Sequence, residues 1–170
     1  MSDIHVCPLS ALEQTLITSD ARWMISLSGP GKSLARPTQV DGGFLALEFN
    51  DISEPREKLV APDDEHIATL LAFIDAWNCR GNLLIHCWMG ISRSTAAAAI
   101  ALARLGKPTS MDRLANRLRT ASPMATPNAL MIAIADRQLG FDGAFSRAIN
   151  SIGRGEDAPE GRPFILDVLE

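Results

Sequence analysis

LLIHCWMGISRST, residues 83–95, passes from an apolar run into small residues suited to the start of a helix. Leu83, Leu84 and Ile85 in succession read as a buried central strand. The following SRSTAAAAIALARLG reads as a helix, with Gly106 as its C-cap ahead of Pro108. Cys87 stands at the junction. Gly90 permits a tight turn in which successive amide groups point inward, and the helix that follows adds its positive end. A loop of that kind binds a dianion and favours a cysteine thiolate. Arg93, six residues after Cys87, offers a planar fork of donors matched to two phosphoryl oxygens, a geometry lysine cannot reproduce.

Outward from this loop, strands are predicted at 22–29 (RWMISLSG) and 43–49 (GFLALEF). Ile67, Leu70, Leu71, Ile74 and Trp77 recur at helical spacing within 62–78, behind Pro62 and a group of acidic residues. Further helices are predicted over Pro8–Ile17 with Ser10 as N-cap, over SMDRLANRLRTA with Ser110 as N-cap, and over TPNALMIAIADRQLG. In the last of these Thr126 is the expected N-cap, Pro127 lies in the first turn and Gly140 is the terminator. A final helix near 142–151 precedes a linker, GRGEDAPEGR, and an apolar tail, PFILDVL. This alternation predicts one α/β domain over 1–170, a central mostly parallel sheet with helices on both faces, in which 151–170 is linker and C-terminal tail.

The 170 residues, 46% hydrophobic and 21% charged, have the composition of an ordinary globular domain. A net charge of -4 gives no global case for nucleic acid or an anionic membrane surface, so any anion site is local. MSDIHVCPLS lacks the basic and apolar regions of a secretory signal, and STAAAAIALARL is too short to span a bilayer. A cytoplasmic location is expected. Cys7, Cys79 and Cys87 are odd in number and lack paired spacing, which argues against a disulfide framework or a zinc knuckle. No metal, cofactor, nucleic-acid or membrane partner is expected, and no oligomeric state is assigned.

His86-Cys87, Gly90 and Ser92-Arg93-Ser94 resemble the HCxxGxSRS signature of the cysteine-dependent protein tyrosine and dual-specificity phosphatases. The resemblance implies a phosphatase-like fold and a cysteinyl-phosphate mechanism. Cys87 would attack phosphorus, while Arg93 and the loop formed by Trp88, Met89, Gly90, Ile91 and Ser92 hold the phosphoryl oxygens. Ser94 resembles the hydroxyl that supports the departing thiolate, His86 a supporting group beneath the loop, and Asn128 the asparagine of a proline-asparagine pair that orders the site.

A general acid is needed to expel an alkoxide or phenoxide. Asp51 follows the strand FLALEF, and parallel strands deliver their carboxyl ends to one edge of the sheet, the edge that also carries Cys87. It lies 36 residues before Cys87, a separation that resembles the family's. Asp63 and Asp64 read instead as helix-start carboxylates. Under oxidation Cys79 is a candidate partner for a protective disulfide with Cys87, although their eight-residue spacing establishes no contact.

The expected activity is hydrolysis of a phosphomonoester on a phosphorylated protein or peptide, with phosphotyrosine ahead of phosphoserine and phosphothreonine. Trp88 and Met89 supply no positive charge, which disfavours a polyphosphorylated lipid. The alternatives are a pseudophosphatase that recruits phosphorylated partners and a sulfurtransferase. SGPGKS, 28–33, resembles the end of a nucleotide-binding loop, but Ser26 replaces its first glycine and Pro37 obstructs the required helix. Lys32 is expected near the rim of the site.

Overall fold

The computed structural model describes residues 2–106, 108 and 110–168. Five strands form one sheet: β1 (Asp3–Pro8), β2 (Trp23–Ser28), β3 (Gly43–Glu48), β4 (Leu83–Cys87) and β5 (Phe164–Asp167), in the order β3-β2-β4-β1-β5. All pairings are parallel except that of β1 with β5. The expected single, mostly parallel α/β domain is therefore observed.

Period-two alternation divides the core into two layers. Leu83, Ile85 and Cys87 of β4, with Ile25 and Leu27 of β2, face the larger layer. Leu84 and Met24 face the smaller one, with Leu12 and Leu16 of α1 (Leu12–Ser19). On the larger side lie α2 (Asp64–Trp77), α3 (Arg93–Leu105), α4 (Met111–Ala121), α5 (Ala129–Leu139) and α6 (Ala144–Ser151). Helices thus cover both faces. α3 is buried along nearly its whole length, touching the sheet together with α2, α4 and α5. A helix enclosed on every side needs small apolar side chains, hence its run of alanines. No helix among the described residues is long and apolar enough to cross a membrane.

Several element ends differ from expectation. Residues 3–8 form β1, which takes in the Pro8 expected to open the first helix, because both flanking strands satisfy their backbone groups. Ser10 does not cap α1; the N-cap is Ala11, and the Ser10 hydroxyl donates to Glu160 at 2.8 Å. Ser110 does cap α4, accepting from the Arg113 amide at 3.1 Å. Thr126 does not cap α5. Asn128 does, two residues further on, with Gly140 closing the helix in the left-handed region as expected. Gly106 is the C-cap of α3 but is right-handed; a Cβ there would lie 2.7 Å from the Leu102 carbonyl oxygen and 2.8 Å from that of Val168. Glycine is needed for close approach, not for its dihedral angles. The tail contributes β5, whose pairing partner lies at the other end of the chain; its final residue, Leu169, falls outside the described residues.

Candidate active site

β4 carries Cys87 to the carboxyl edge of the sheet, and the chain turns through 88–92 into α3. The turn requires Gly90: its φ is 68°, and a Cβ there would lie 2.6 Å from the Pro8 nitrogen. The carbonyl of Trp88 accepts from the Leu9 amide at 3.1 Å and that of Met89 from Gly161 at 2.7 Å. On the far side of the turn, Ile91 accepts from Thr126 at 2.9 Å and Ser92 from Asn128 at 3.3 Å. In a trans peptide the next N–H points opposite to the carbonyl. Carbonyls tied outward to the scaffold therefore turn the amides of Met89, Gly90, Ser92 and Arg93 toward the inside of the loop. The Gly90 amide accordingly donates to Cys87 Sγ at 3.2 Å, and Ser94 Oγ lies 3.1 Å from the same sulfur. This concave set of donors at a helix N-terminus suits a tetrahedral oxyanion.

Arg93 is buried, with one Nη donating to the Phe49 carbonyl at 2.8 Å. Its Nε is buried without a hydrogen-bond acceptor and lies 4.0 Å from Asp51 Oδ2. The side chain is thus anchored at one corner with further donors uncommitted. Asp51 follows β3, and its Oδ1 accepts from Ser92 Oγ at 2.6 Å and Asn128 Nδ2 at 2.9 Å. Asn128 also donates to the Ile52 carbonyl at 3.2 Å and accepts from the Met131 amide at 3.0 Å. One side chain therefore caps α5 and holds the Asp51 loop against the Cys87 loop.

His86 Nε2 and Ser26 Oγ are 2.8 Å apart, joining β4 to its neighbour β2 beneath the loop. Burial pushes the His86 imidazole down to about 4, so it stays neutral and serves as a fixed hydrogen-bonding strut. Trp88 and Met89 stand out from the loop as exposed side chains, while Ile91 and Ser92 are half-buried. Cys7 is a core thiol, which burial pushes up to about 11.

The alternative carboxylates are otherwise engaged. Asp63 caps α2, accepting from the His66 amide at 2.9 Å, and Asp64 bonds Arg137 and Gln138 of α5, bonds that hold its carboxyl below the usual carboxylate range. The structure does not bring Cys79 to Cys87, and both are free thiols. Ser2, just before β1, donates to the Cys79 carbonyl, whereas Cys87 pairs with Pro8 at the far end of β1, a strand of about 16 Å, beyond the roughly 7 Å limit for bridged Cα atoms. No helix follows SGPGKS, and Lys32 lines the cleft beside Arg93.

Sequence reasoning missed the outer support of the loop. Gly161, in a segment read as linker, packs so closely that a Cβ would lie 2.7 Å from the Gly90 carbonyl oxygen. The Asp51–Ser92 bond was likewise unseen, since nothing local to either residue signals it. No group of His, Cys, Asp or Glu among the described residues is arranged to hold a metal ion.

No protein-family model matches the sequence, and neither does any curated protein. Solved structures do. The structure of DUSP15 is 16% identical over 91% of this chain and 94% of its own, with a TM-score of 0.61. Human DUSP28 is 20% identical over 83% and 90%, with a TM-score of 0.58. A mouse protein, solved as a dual specificity phosphatase complexed with zinc tungstate, is 22% identical over 80% and 79%, with a TM-score of 0.56. The chain has the fold of the dual-specificity phosphatases.

Proposed function

We propose that the protein is a cysteine-dependent phosphomonoester hydrolase acting on phosphorylated proteins or peptides, phosphotyrosine foremost. The observation that carries this reading is the position of Cys87 Sγ. It accepts from Gly90 and lies beside Ser94 at the base of a loop whose amides turn inward, with uncommitted Arg93 donors nearby. The mouse neighbour was solved with tungstate, itself a tetrahedral oxyanion, on the same fold.

In the proposed first step the Cys87 thiolate forms the S–P bond as the P–O bond to the leaving group breaks. The leaving oxygen takes a proton from Asp51. Oδ1 already accepts two hydrogen bonds, so the transferable proton resides on Oδ2. Arg93 and the loop amides stabilise the equatorial oxygens as charge spreads over them. In the second step water attacks the phosphocysteine and gives its proton to Asp51. The thiolate departs with the Ser94 hydroxyl, 3.1 Å away, donating to it.

The test is turnover of p-nitrophenyl phosphate, inhibited by vanadate and indifferent to chelators. Arg93→Lys keeps the charge but loses the fork and is expected to lower kcat/KM by about 10²-fold, the usual loss for an oxyanion donor. Phosphopeptide binding without any turnover would favour the pseudophosphatase, and sulfur transfer without phosphate release the sulfurtransferase. Either result overturns the proposal.

A further inference from the structure

The cleft beside Arg93 carries a second cation for which the two chemical steps have no use. Its volume is about 520 Å3, and Leu9, Leu34, Trp88, Lys32 and Arg93 are among its walls. Trp88 is 66% exposed, so its indole face is free to meet an apolar or aromatic body. Lys32 comes from the turn after β2, closed by the Lys32 amide on the Gly29 carbonyl at 3.0 Å. The Gly31 amide donates to the Glu48 carboxylate at 2.6 Å, fixing the turn to β3. The backbone that presents Lys32 is therefore ordered before any ligand arrives. Its side chain is exposed and pairs with no carboxylate among the described residues. In a chain of net charge -4, an unpaired cation on the wall of this cleft reverses the prevailing sign at the point where a substrate would lie.

We propose that Lys32 forms a second anion subsite, so that the favoured substrates are phosphomonoesters bearing a further acidic group close to the phosphorylated one. This rests on the phosphatase reading above. Arg93 would hold the phosphoryl pole, Trp88, Leu9 and Leu34 the apolar body, and the Lys32 ammonium the second negative charge. Trp88 and Met89 leave the loop itself without a positive charge. Lys32 supplies one from a different loop, enough for one additional anionic group. That group is a carboxylate, and its source is either an acidic residue of a phosphopeptide or the carboxylate of a small phosphoester.

The experiment compares phosphotyrosyl peptides that differ only by Glu or Gln beside the phosphotyrosine, and O-phosphotyrosine with its carboxamide. The ratio within each pair is read as kcat/KM, and as affinity for Cys87→Ser protein by calorimetry. The acidic member is expected to be favoured about fivefold at low salt, the upper size of an exposed ion pair, and less above ~0.15 M salt. The preference should vanish in Lys32→Gln, persist in Lys32→Arg and invert in Lys32→Glu. A ratio confined to the peptides identifies an acidic peptide segment, and one confined to the amino acid a small phosphoester; both support the subsite. A ratio of one in the parent, or an undiminished ratio in Lys32→Gln, overturns it. Preferential binding without turnover upholds the subsite while overturning the phosphatase reading.

Discussion

Replacing Asn128 by serine and, separately, by alanine divides its two tasks. The parent side chain caps α5 through its Oδ1 and ties down the Asp51 loop through its Nδ2, which reaches both Asp51 and the Ile52 carbonyl. Serine still caps a helix but is too short to reach Asp51; alanine does neither. A lost cap costs about 1 kcal/mol, and each buried hydrogen bond contributes about 1 kcal/mol. Asn128→Ala is therefore expected to lose ~3 kcal/mol and Asn128→Ser ~2 kcal/mol. At 2–4 °C per kcal/mol for a chain of this size, these correspond to Tm falls of about 9 °C and about 6 °C. Both variants release Asp51 from one of its two anchors, so both should turn over phenyl phosphate about tenfold more slowly, a part of the 10²–10⁴-fold that loss of the whole general-acid contribution would cost. p-Nitrophenyl phosphate, whose leaving group departs unprotonated, should be affected far less. Thermal melts and the ratio of the two rates provide the assay. A serine variant with the parent's rate ratio would show that Asn128 is a helix cap alone.

Gly161→Ala should destabilise the protein by about 2 kcal/mol and weaken vanadate binding, since its Cβ would press on the Gly90 carbonyl oxygen from 2.7 Å; parent-like melting and inhibition would contradict that. His86 has its folded value lowered to about 4 from 6.5, so the neutral form's contribution is complete above pH 6.5 and is lost as pH falls toward 4. The loss amounts to about 3 kcal/mol at most, and urea midpoints across that range should slope less in His86→Asn than in the parent. Asp51→Asn should reduce phenyl phosphate turnover by roughly 10²–10⁴-fold while Asp63→Asn and Asp64→Asn stay near parent rates. Failure of either of the latter with Asp51→Asn intact would move the acid to the start of α2.

What the sequence disclosed was what is contiguous or periodic. The Cys87 loop occupies one unbroken stretch, and the alternation within β4 and the helical spacing of α2 each follow from a local period. Asp51 was reachable by one topological step, because parallel strands end on a common edge and β2 links β3 to β4. β1 and β5 were not legible: DIHVCP becomes a strand by pairing with β4 and β5, and FILD by pairing with DIHVCP across most of the chain. The outer wall of the loop was hidden for the same reason. Gly161 and Met89 meet through one amide, and neither residue type announces such a bond. Thr126 and Asn128 are both good caps, and the one that caps, Asn128, also bonds Asp51, 77 positions away, a partner that no local pattern announces.

The central claim is that the phosphoryl group passes through Cys87, and the most direct measurement is to trap it there. Protein quenched in acid during steady turnover of p-nitrophenyl phosphate is digested and mapped by mass spectrometry. The account predicts one phosphoryl group on the peptide containing Cys87, accumulating further in Asp51→Asn with this activated ester, because water then lacks its base. An enzyme that turns over with no adduct on that peptide, or a Cys87→Ser protein that folds and retains substantial activity, would contradict it.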